Sequence, residues 1–205
     1  RYYHSNPQFL CSSATIANPV ELATEICGKQ FTLVDKDGSP AVERGYYLIQ
    51  PPKIMGKDDN YYGQVRITTV AAELLPELMD EGKNFIAFTK SRKNVEIVLK
   101  ETRDHLEAEG FLGTHKPDEI SGYRGGYTPL ERKQIENQMI SGELMGLVST
   151  YALELGIDIG KISTTVLVGY PGTRASFWQQ TGRAGRSGKR SSNYLILDNQ
   201  PFDQY

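Results

Sequence analysis

Phe85-Ile86-Ala87-Phe88-Thr89-Lys90-Ser91-Arg92 decides the fold class of this chain. Four apolar residues run without alternation into a polar, basic turn, and a helical pattern follows over 91–109. An unbroken apolar run suits a strand covered on both faces, unlike the in-out alternation of a half-exposed one. Moving outward, similar short runs occur at 9–12, 31–34, 46–49, 146–149, 164–168 and 193–197. Helical periodicity lies between several of them, most clearly at 65–80 and 129–140, where Pro129 suits a first helical turn. Strands alternating with helices predict an α/β, RecA-like three-layer fold: a mainly parallel sheet with helices on both faces. Asp35-Lys36-Asp37-Gly38-Ser39-Pro40 is turn and linker chemistry, which places a domain boundary between residues 1–40 and 41–205. The stretch 51–60 reads as a surface loop.

The chain has 205 residues, 39% of them hydrophobic, enough to pack one α/β domain with a fragment of another. A formal charge of -2 does not announce a nucleic-acid binder, but the distribution is uneven. Between Lys161 and Leu197 six Lys or Arg occur with no Asp or Glu. Such a stretch is either a solvated surface or an anion-binding face. Cys11 and Cys27 form no CxxC pair, and His4, His105 and His115 are scattered, so neither a metal site nor a disulfide framework is expected. No apolar run reaches membrane-spanning length and no signal-peptide pattern is present, which implies no membrane partner and an intracellular, in a bacterium cytoplasmic, protein.

In a parallel sheet, ligands collect at the carboxyl ends of the strands, so the loops after Phe88, Ser149 and Val168 should share one edge. Thr89, Ser91 and Arg92 combine hydroxyls, a guanidinium and a helix N-terminus, which suits a phosphate; a plain Ser helix cap is the alternative. Ser149 and Thr150 offer hydroxyls and amides at a strand end. Gly156 permits a tight turn, and Asp158 suits either a ribose hydroxyl or an arginine. In Gln179-Gln180-Thr181-Gly182-Arg183-Ala184-Gly185-Arg186 the two arginines are expected on one helix face. They could stabilise charge on a transferring phosphoryl group, a role worth roughly 10³–10⁵ in rate, or simply decorate a surface. Trp178 reads as a core-facing aromatic in preference to a base-stacking platform.

Four segments in order, around Ser13-Ala14-Thr15, Phe88-Thr89-Lys90-Ser91, Val148 to Asp158 and Gln179 to Arg186, resemble motifs III, IV, V and VI of superfamily 2 helicases. The chain is similar in particular to the mitomycin-repair helicases of bacteria and their fungal relatives, which carry a C-terminal four-cysteine domain. The residues that carry this finer likeness are Ser13-Ala14-Thr15-Ile16-Ala17-Asn18-Pro19, Tyr123-Arg124-Gly125-Gly126-Tyr127, Ala152 through Gly160, and Gly169-Tyr170-Pro171-Gly172-Thr173 running into Trp178-Gln179-Gln180. The resemblance implies that 1–40 ends the first RecA-like domain and 41–205 forms the second. It implies that Arg183 and Arg186 are arginine fingers, Arg186 meeting the γ-phosphate, with Gln179, Gly156 and Asp158 on the ATP side. Thr89, Ser91, Arg92, Arg124, Ser149 and Thr150 would grip the backbone of single-stranded DNA. Ser13 and Thr15 would couple hydrolysis to movement. It also implies 3′-to-5′ movement and a repair role.

No Walker A loop and no acidic Mg²⁺ motif is recognisable. Gly188-Lys189 is followed by Arg190 instead of Ser or Thr, and Asp118-Glu119 follows no buried strand. ATP and Mg²⁺ are therefore expected between this chain and a first RecA-like domain in cis, with Mg²⁺ held mainly by that domain. A double-strand translocase, an RNA helicase and a catalytically silent RecA-like binding module are the competing expectations. The 205-residue chain alone should show no nucleic-acid-stimulated ATP hydrolysis. A robust rate from it would overturn the half-site reading.

Overall fold

The computed structural model describes residues 7–13, 16–36, 38, 42–56, 60–108, 115–124, 126–151, 162–185, 188 and 190–199. Two compact units emerge, Arg1–Pro40 and Ala41–Tyr205. In the first, helix α1 spans Pro19–Cys27, opened by its proline and closed by Gly28 in the left-handed region (φ 64°), whose N–H donates to the Thr24 carbonyl. Beside it, the Lys29 ammonium donates to the Pro7 carbonyl and lies 5.3 Å from the centre of the Phe9 ring. The expected strands at 9–12 and 31–34 do not form. Leu10 and Val34 are 90% and 89% exposed. An extended segment becomes a strand only by pairing, and no described residue pairs with either.

The second unit is built on a six-stranded sheet in the order β1-β8-β7-β4-β6-β5, every neighbouring pair parallel. The strands are β1 (Arg44–Ile49), β4 (Phe85–Thr89), β5 (Ile120–Tyr123), β6 (Gly146–Ser149), β7 (Thr164–Val168) and β8 (Ser191–Ile196). A separate antiparallel hairpin, β2 (Lys53–Met55) and β3 (Tyr61–Gln64), begins inside the stretch 51–60 expected to be loop and ends beyond it. It is tied back by the Gln64 amide donating to the Pro51 carbonyl at 2.8 Å. Strand β5 was not expected either, since Ser121-Gly122-Tyr123 lacks the aliphatic run that marks the other inner strands.

Helices α2 (Ile67–Asp80) and α3 (Arg92–Ala108) cover one face, while α4 (Pro129–Ser141) and α5 (Arg174–Thr181) cover the other. Helix α2 starts at Ile67 instead of residue 65 because Arg66 is extended (φ -63°, ψ 138°). The two faces follow from handedness. The crossovers through α2 and α3 step one way along the sheet and those through α4 and α5 step back, so right-handed connections put the pairs on opposite sides. The core divides by the two-residue period of β4. Phe85 and Ala87 join Leu75, Met79, Val95 and Val98 beneath α2 and α3, whereas Ile86 and Phe88 join Tyr123, Met139 and Leu147 on the α4 side.

At the outer edge, the hydroxyl of Thr165 and the side chain of Asn193 meet at 2.7 Å, and the Asn193 amide donates to the Gly45 carbonyl. This chain stitches β7, β8 and β1 through a buried polar bridge, where each group finds a partner. Helix α4 is capped by Thr128, which accepts from the Glu131 N–H while the Glu131 carboxylate receives the Thr128 N–H. The Thr128 N–H and then the Thr128 hydroxyl, both donating to the Glu131 carboxylate, hold it below the usual carboxylate range. No helix among the described residues is long and apolar enough to cross a membrane.

Gly146 sits against the ring of Phe85, so a Cβ there would lie 2.1 Å from Phe85 Cζ. The ring is fully buried, so its packing must shift to make room. Gly146→Ala should therefore lower unfolding stability by about 1–3 kcal/mol, the usual cost of overpacking, in urea titrations. An unchanged midpoint would show that the ring can move after all.

Candidate nucleic-acid and nucleotide edges

Parallel pairing brings the carboxyl ends of the central strands level. Phe88 lies opposite Ser149, Ser149 opposite Tyr123, and Thr89 opposite Val168. The loops after Phe88, Ser149 and Val168 therefore share one edge, where Thr89, Ser91, Arg92, Ser149 and Thr150 lie, and Arg124, following β5, joins them there. Their side chains play unequal parts there.

Ser149 is fully buried, and its hydroxyl is within donating distance of the carbonyls of Tyr123 (3.0 Å) and Thr150 (2.9 Å). Thr89 is buried too, its hydroxyl donating to the Ser91 carbonyl at 3.0 Å. These two placements correct the expectation of hydroxyls open to a phosphate. Both sit where the β4 and β6 backbones are still inside the sheet, and they shape the loops from beneath. Ser91 caps α3 by accepting from the Asn94 N–H at 3.1 Å, the structural role weighed against phosphate binding. Its exposure leaves the helix N-terminus open to solvent beside exposed Arg92. Thr150 is half-buried.

Arg124 follows β5 and is partly exposed. Its guanidinium makes an ion pair with Glu96 of α3 at 3.1 Å and lies 5.5 Å from the centre of the Tyr127 ring. Contact with the Tyr127 hydroxyl, then Glu96, favours its charged form. Tyr123 is fixed beneath, its ring edge-on to Tyr127 and its hydroxyl donating to Glu136 at 3.3 Å. Burial, followed by the nearby Glu136 carboxylate, pushes the Tyr123 phenol pKa up.

Arg183 lies at the opposite edge. Helix α5 starts after the carboxyl end of β7 and runs back toward the amino ends of the strands, where β8 begins. The Gly185 N–H donates to the Ile162 carbonyl, just ahead of β7, at 3.0 Å. Arg183 is not on the helix. The N–H groups of Gly182, Arg183 and Ala184 turn back to Trp178, Gln180 and Thr181, and Gly185 is left-handed (φ 80°). This corrects the expectation of two arginines on one helix face: the helix ends at Thr181. Gly182 is required at that ending, because a Cβ there would meet the Trp178 carbonyl oxygen at 2.7 Å. Ala184 drops into the core on the α4 side, and Arg183 is only 8% exposed. Gln179 sits half-buried in the last turn of α5.

Trp178 is 48% exposed, packed edge-on against Tyr46 and Phe177. Its neighbour Phe177 takes the inward position with Tyr170, which corrects the core-facing assignment by one helical step. Ser13 is exposed in the first unit. Thr15, Gly156, Asp158 and Arg186 lie outside the described residues. Among the described residues, no group of three or more His, Cys, Asp or Glu could hold a metal ion.

A family model described as the helicase conserved C-terminal domain matches residues 69–188. The chain belongs to this family. It is 42% identical over its whole length to YprA of Bacillus subtilis, named an uncharacterized ATP-dependent helicase, and covers 26% of that protein. It is 34% identical to the ATP-dependent helicase HRQ1 of Saccharomyces cerevisiae, covering 19% of it. Among solved structures, the DUF1998 helicase MrfA bound to DNA and AMPPNP superposes on the whole chain with a TM-score of 0.86 and 41% identity, and 27% of that chain is covered. The helicase Lhr of Mycobacterium smegmatis bound to ssDNA and AMP-PNP aligns with 93% of this chain at 28% identity, with a TM-score of 0.68 and 24% of Lhr covered. The chain thus spans about a quarter or less of the length of these relatives. The RecA-like fold class and the superfamily 2 resemblance agree with these matches.

Because the Ser149 hydroxyl bonds inside the protein, Ser149→Ala should cost stability, by roughly 0.5–1.5 kcal/mol, through the lost bond to a strand-end carbonyl. Direct contact with nucleic acid would instead give weaker strand binding at unchanged stability, and denaturant titration beside binding separates the two.

Proposed function

We propose that this chain is the second motor domain of an ATP-dependent DNA helicase. Its carboxyl edge holds the backbone of single-stranded DNA, and its amino edge completes an ATP site shared with a first RecA-like domain in cis. Residues 1–40 belong to the end of that first domain and carry Ser13 and Thr15, which couple hydrolysis to movement. The observation that carries this reading is the segregation of the two residue sets. Arg92, Arg124 and Thr150 lie at one end of the parallel strands, Arg183 at the other, and α5 spans the distance between. A motor needs both functions in one rigid body, and a sheet with two chemically distinct edges supplies them. The bound DNA and AMPPNP of MrfA and the bound ssDNA of Lhr support the assignment of partners.

In this reading, Gly156, Asp158 and Gln179 line the nucleotide side, and Arg186 meets the γ-phosphate. Arg183, buried in the turn after α5, is the second of the arginine pair and adds positive potential to the nucleotide side. Mg²⁺ comes with the nucleotide and is held by the first domain. Backbone contact makes strand binding tolerant of sequence and sensitive to salt. Movement in the 3′-to-5′ direction and a role in DNA repair follow the resemblance to the mitomycin-repair helicases.

In the full-length protein that carries this chain, Arg186→Ala should reduce DNA-stimulated turnover by roughly 10³-fold or more while leaving ATP affinity nearly unchanged. Normal turnover in the variant would remove Arg186 from the phosphate.

A further inference from the structure

Nothing in their spacing pairs Cys11 with Cys27, yet folding of the first unit brings the two thiols within hydrogen-bonding reach of each other. Two further contacts show how. Gly28, left-handed at φ 64°, ends α1 and turns the chain, and the Lys29 ammonium reaches the Pro7 carbonyl at 3.4 Å and lies 5.3 Å from the centre of the Phe9 ring. Lys29 thus meets residues 7 and 9, and Cys27 meets residue 11, so the extended segment runs back along the end of α1 in the opposite direction. Both cysteines are free thiols, Cys11 exposed and Cys27 half-buried. Burial, followed by the neighbouring Cys11 thiol, pushes the Cys27 pKa up, so Cys27 holds its proton while Cys11 faces solvent. Among the described residues, no third His, Cys, Asp or Glu joins them in a group that could hold a metal ion.

We infer that Cys11 and Cys27 form a reversible thiol–disulfide pair, closed by a hydroperoxide and reopened by a thiol reductant, which locks the segment carrying Ser13 to the end of α1. The Cys11 thiolate attacks an oxygen of the hydroperoxide. An S–O bond forms, the O–O bond breaks, and an alcohol leaves, or water where the oxidant is hydrogen peroxide. The Cys27 thiol then attacks the sulfenic sulfur of Cys11. The S–S bond forms, the S–O bond breaks, and water leaves with the Cys27 proton. In all, the two thiols lose two hydrogens and two electrons, and the hydroperoxide accepts both electrons. The consequence for Ser13 rests on the coupling role proposed for it above. In the reduced chain an exposed hydrogen bond and a ring contact tie the segment to the end of α1, and such ties break and re-form freely. Uncatalysed disulfide rearrangement takes roughly minutes to hours, whereas domain motions take roughly microseconds to milliseconds. The bridge therefore outlasts each cycle of movement, and Ser13, two residues from Cys11, is held with it.

The test is peptide mapping of the full-length protein that carries this chain, treated with hydrogen peroxide and alkylated without reductant. A cross-linked peptide joining Cys11 to Cys27 should appear, and dithiothreitol should remove it. Cys27→Ser should instead leave Cys11 as a sulfenic acid that dimedone captures. Recovery of the two wild-type cysteines only as separate alkylated or over-oxidised peptides would overturn the pair. Amide exchange over residues 11–13 should slow on oxidation in the wild type and not in Cys11→Ser, a readout that needs no activity. DNA strand displacement should fall on peroxide treatment of the wild type, recover with dithiothreitol, and hold steady in Cys11→Ser. Unchanged amide exchange, or equal inhibition of the wild type and Cys11→Ser, would overturn the lock even where the bridge forms. If the untreated, reduced protein displaces no strand, the helicase reading fails instead, and the peptide map and the exchange rates still decide the pair and the lock.

Discussion

Parallel pairing of β4 with β6 and β7 is the constraint on which the second unit depends. Each strand end is placed by hydrogen bonds to its neighbours, so Phe88 comes level with Ser149 and Thr89 with Val168 without any side chain arranging it. The same pairing requires that both faces be covered, since the strands expose nothing. Phe85 and Ala87 point to one helix pair, Ile86 and Phe88 to the other. Burial on this scale contributes roughly 25 cal/mol per Å² of apolar area and makes the strand ends stiff. A stiff edge is what lets short loops hold charged groups in fixed relation.

Stiffness also explains why polar residues nearest the strands turned inward. Thr89 and Ser149 occupy last strand positions, where a side chain still lies inside the sheet's layers and an unpartnered hydroxyl would be costly. They bond to loop carbonyls and so fix the loops from below. One to three residues beyond the strand ends, Lys90, Arg92, Thr150 and Arg124 are less buried. A division between inner residues that shape a loop and outer ones that project from it follows from sheet geometry alone.

Strand and helix order were legible because the inner strands are uninterrupted apolar runs. The carboxyl-edge cluster was legible because parallel topology dictates it. The hairpin at 53–64 and strand β5 escaped because their residues, rich in Tyr, Gly and Lys, carry no apolar period. The first unit misled in the other direction: Phe9-Leu10 and Leu33-Val34 have strand composition, but composition cannot supply a pairing partner. The place of the arginine turn was hidden for a third reason. Spacing of three suggests a helix face, yet the helix ends at Thr181, where Gly182 packs on the Trp178 carbonyl and Gly185 turns left-handed. Gly182 in that motif allows a close approach. What approaches is the chain's own backbone.

Helix α5 then acquires a meaning that its sequence did not reveal. It is short and only weakly sided: Phe177 packs inward and Trp178 outward on Tyr46, while Gln180 and Thr181 are buried at its end. Its first turn is fastened by Thr173, which accepts from the Ser176 N–H, and its last by the Thr181 hydroxyl donating to the Phe177 carbonyl. One end follows the Gly169 loop at the carboxyl edge, and the other delivers the Arg183 turn to the amino edge. A displacement imposed at either edge must pass into this helix or be absorbed by its packing against β7. A close-packed core resists continuous deformation, so the helix is better suited to shift as a unit than to bend. Helix α5 thus links the two edges alongside the strands of the sheet, fastened at both ends, which suits the proposed division between a strand-binding edge and a nucleotide edge.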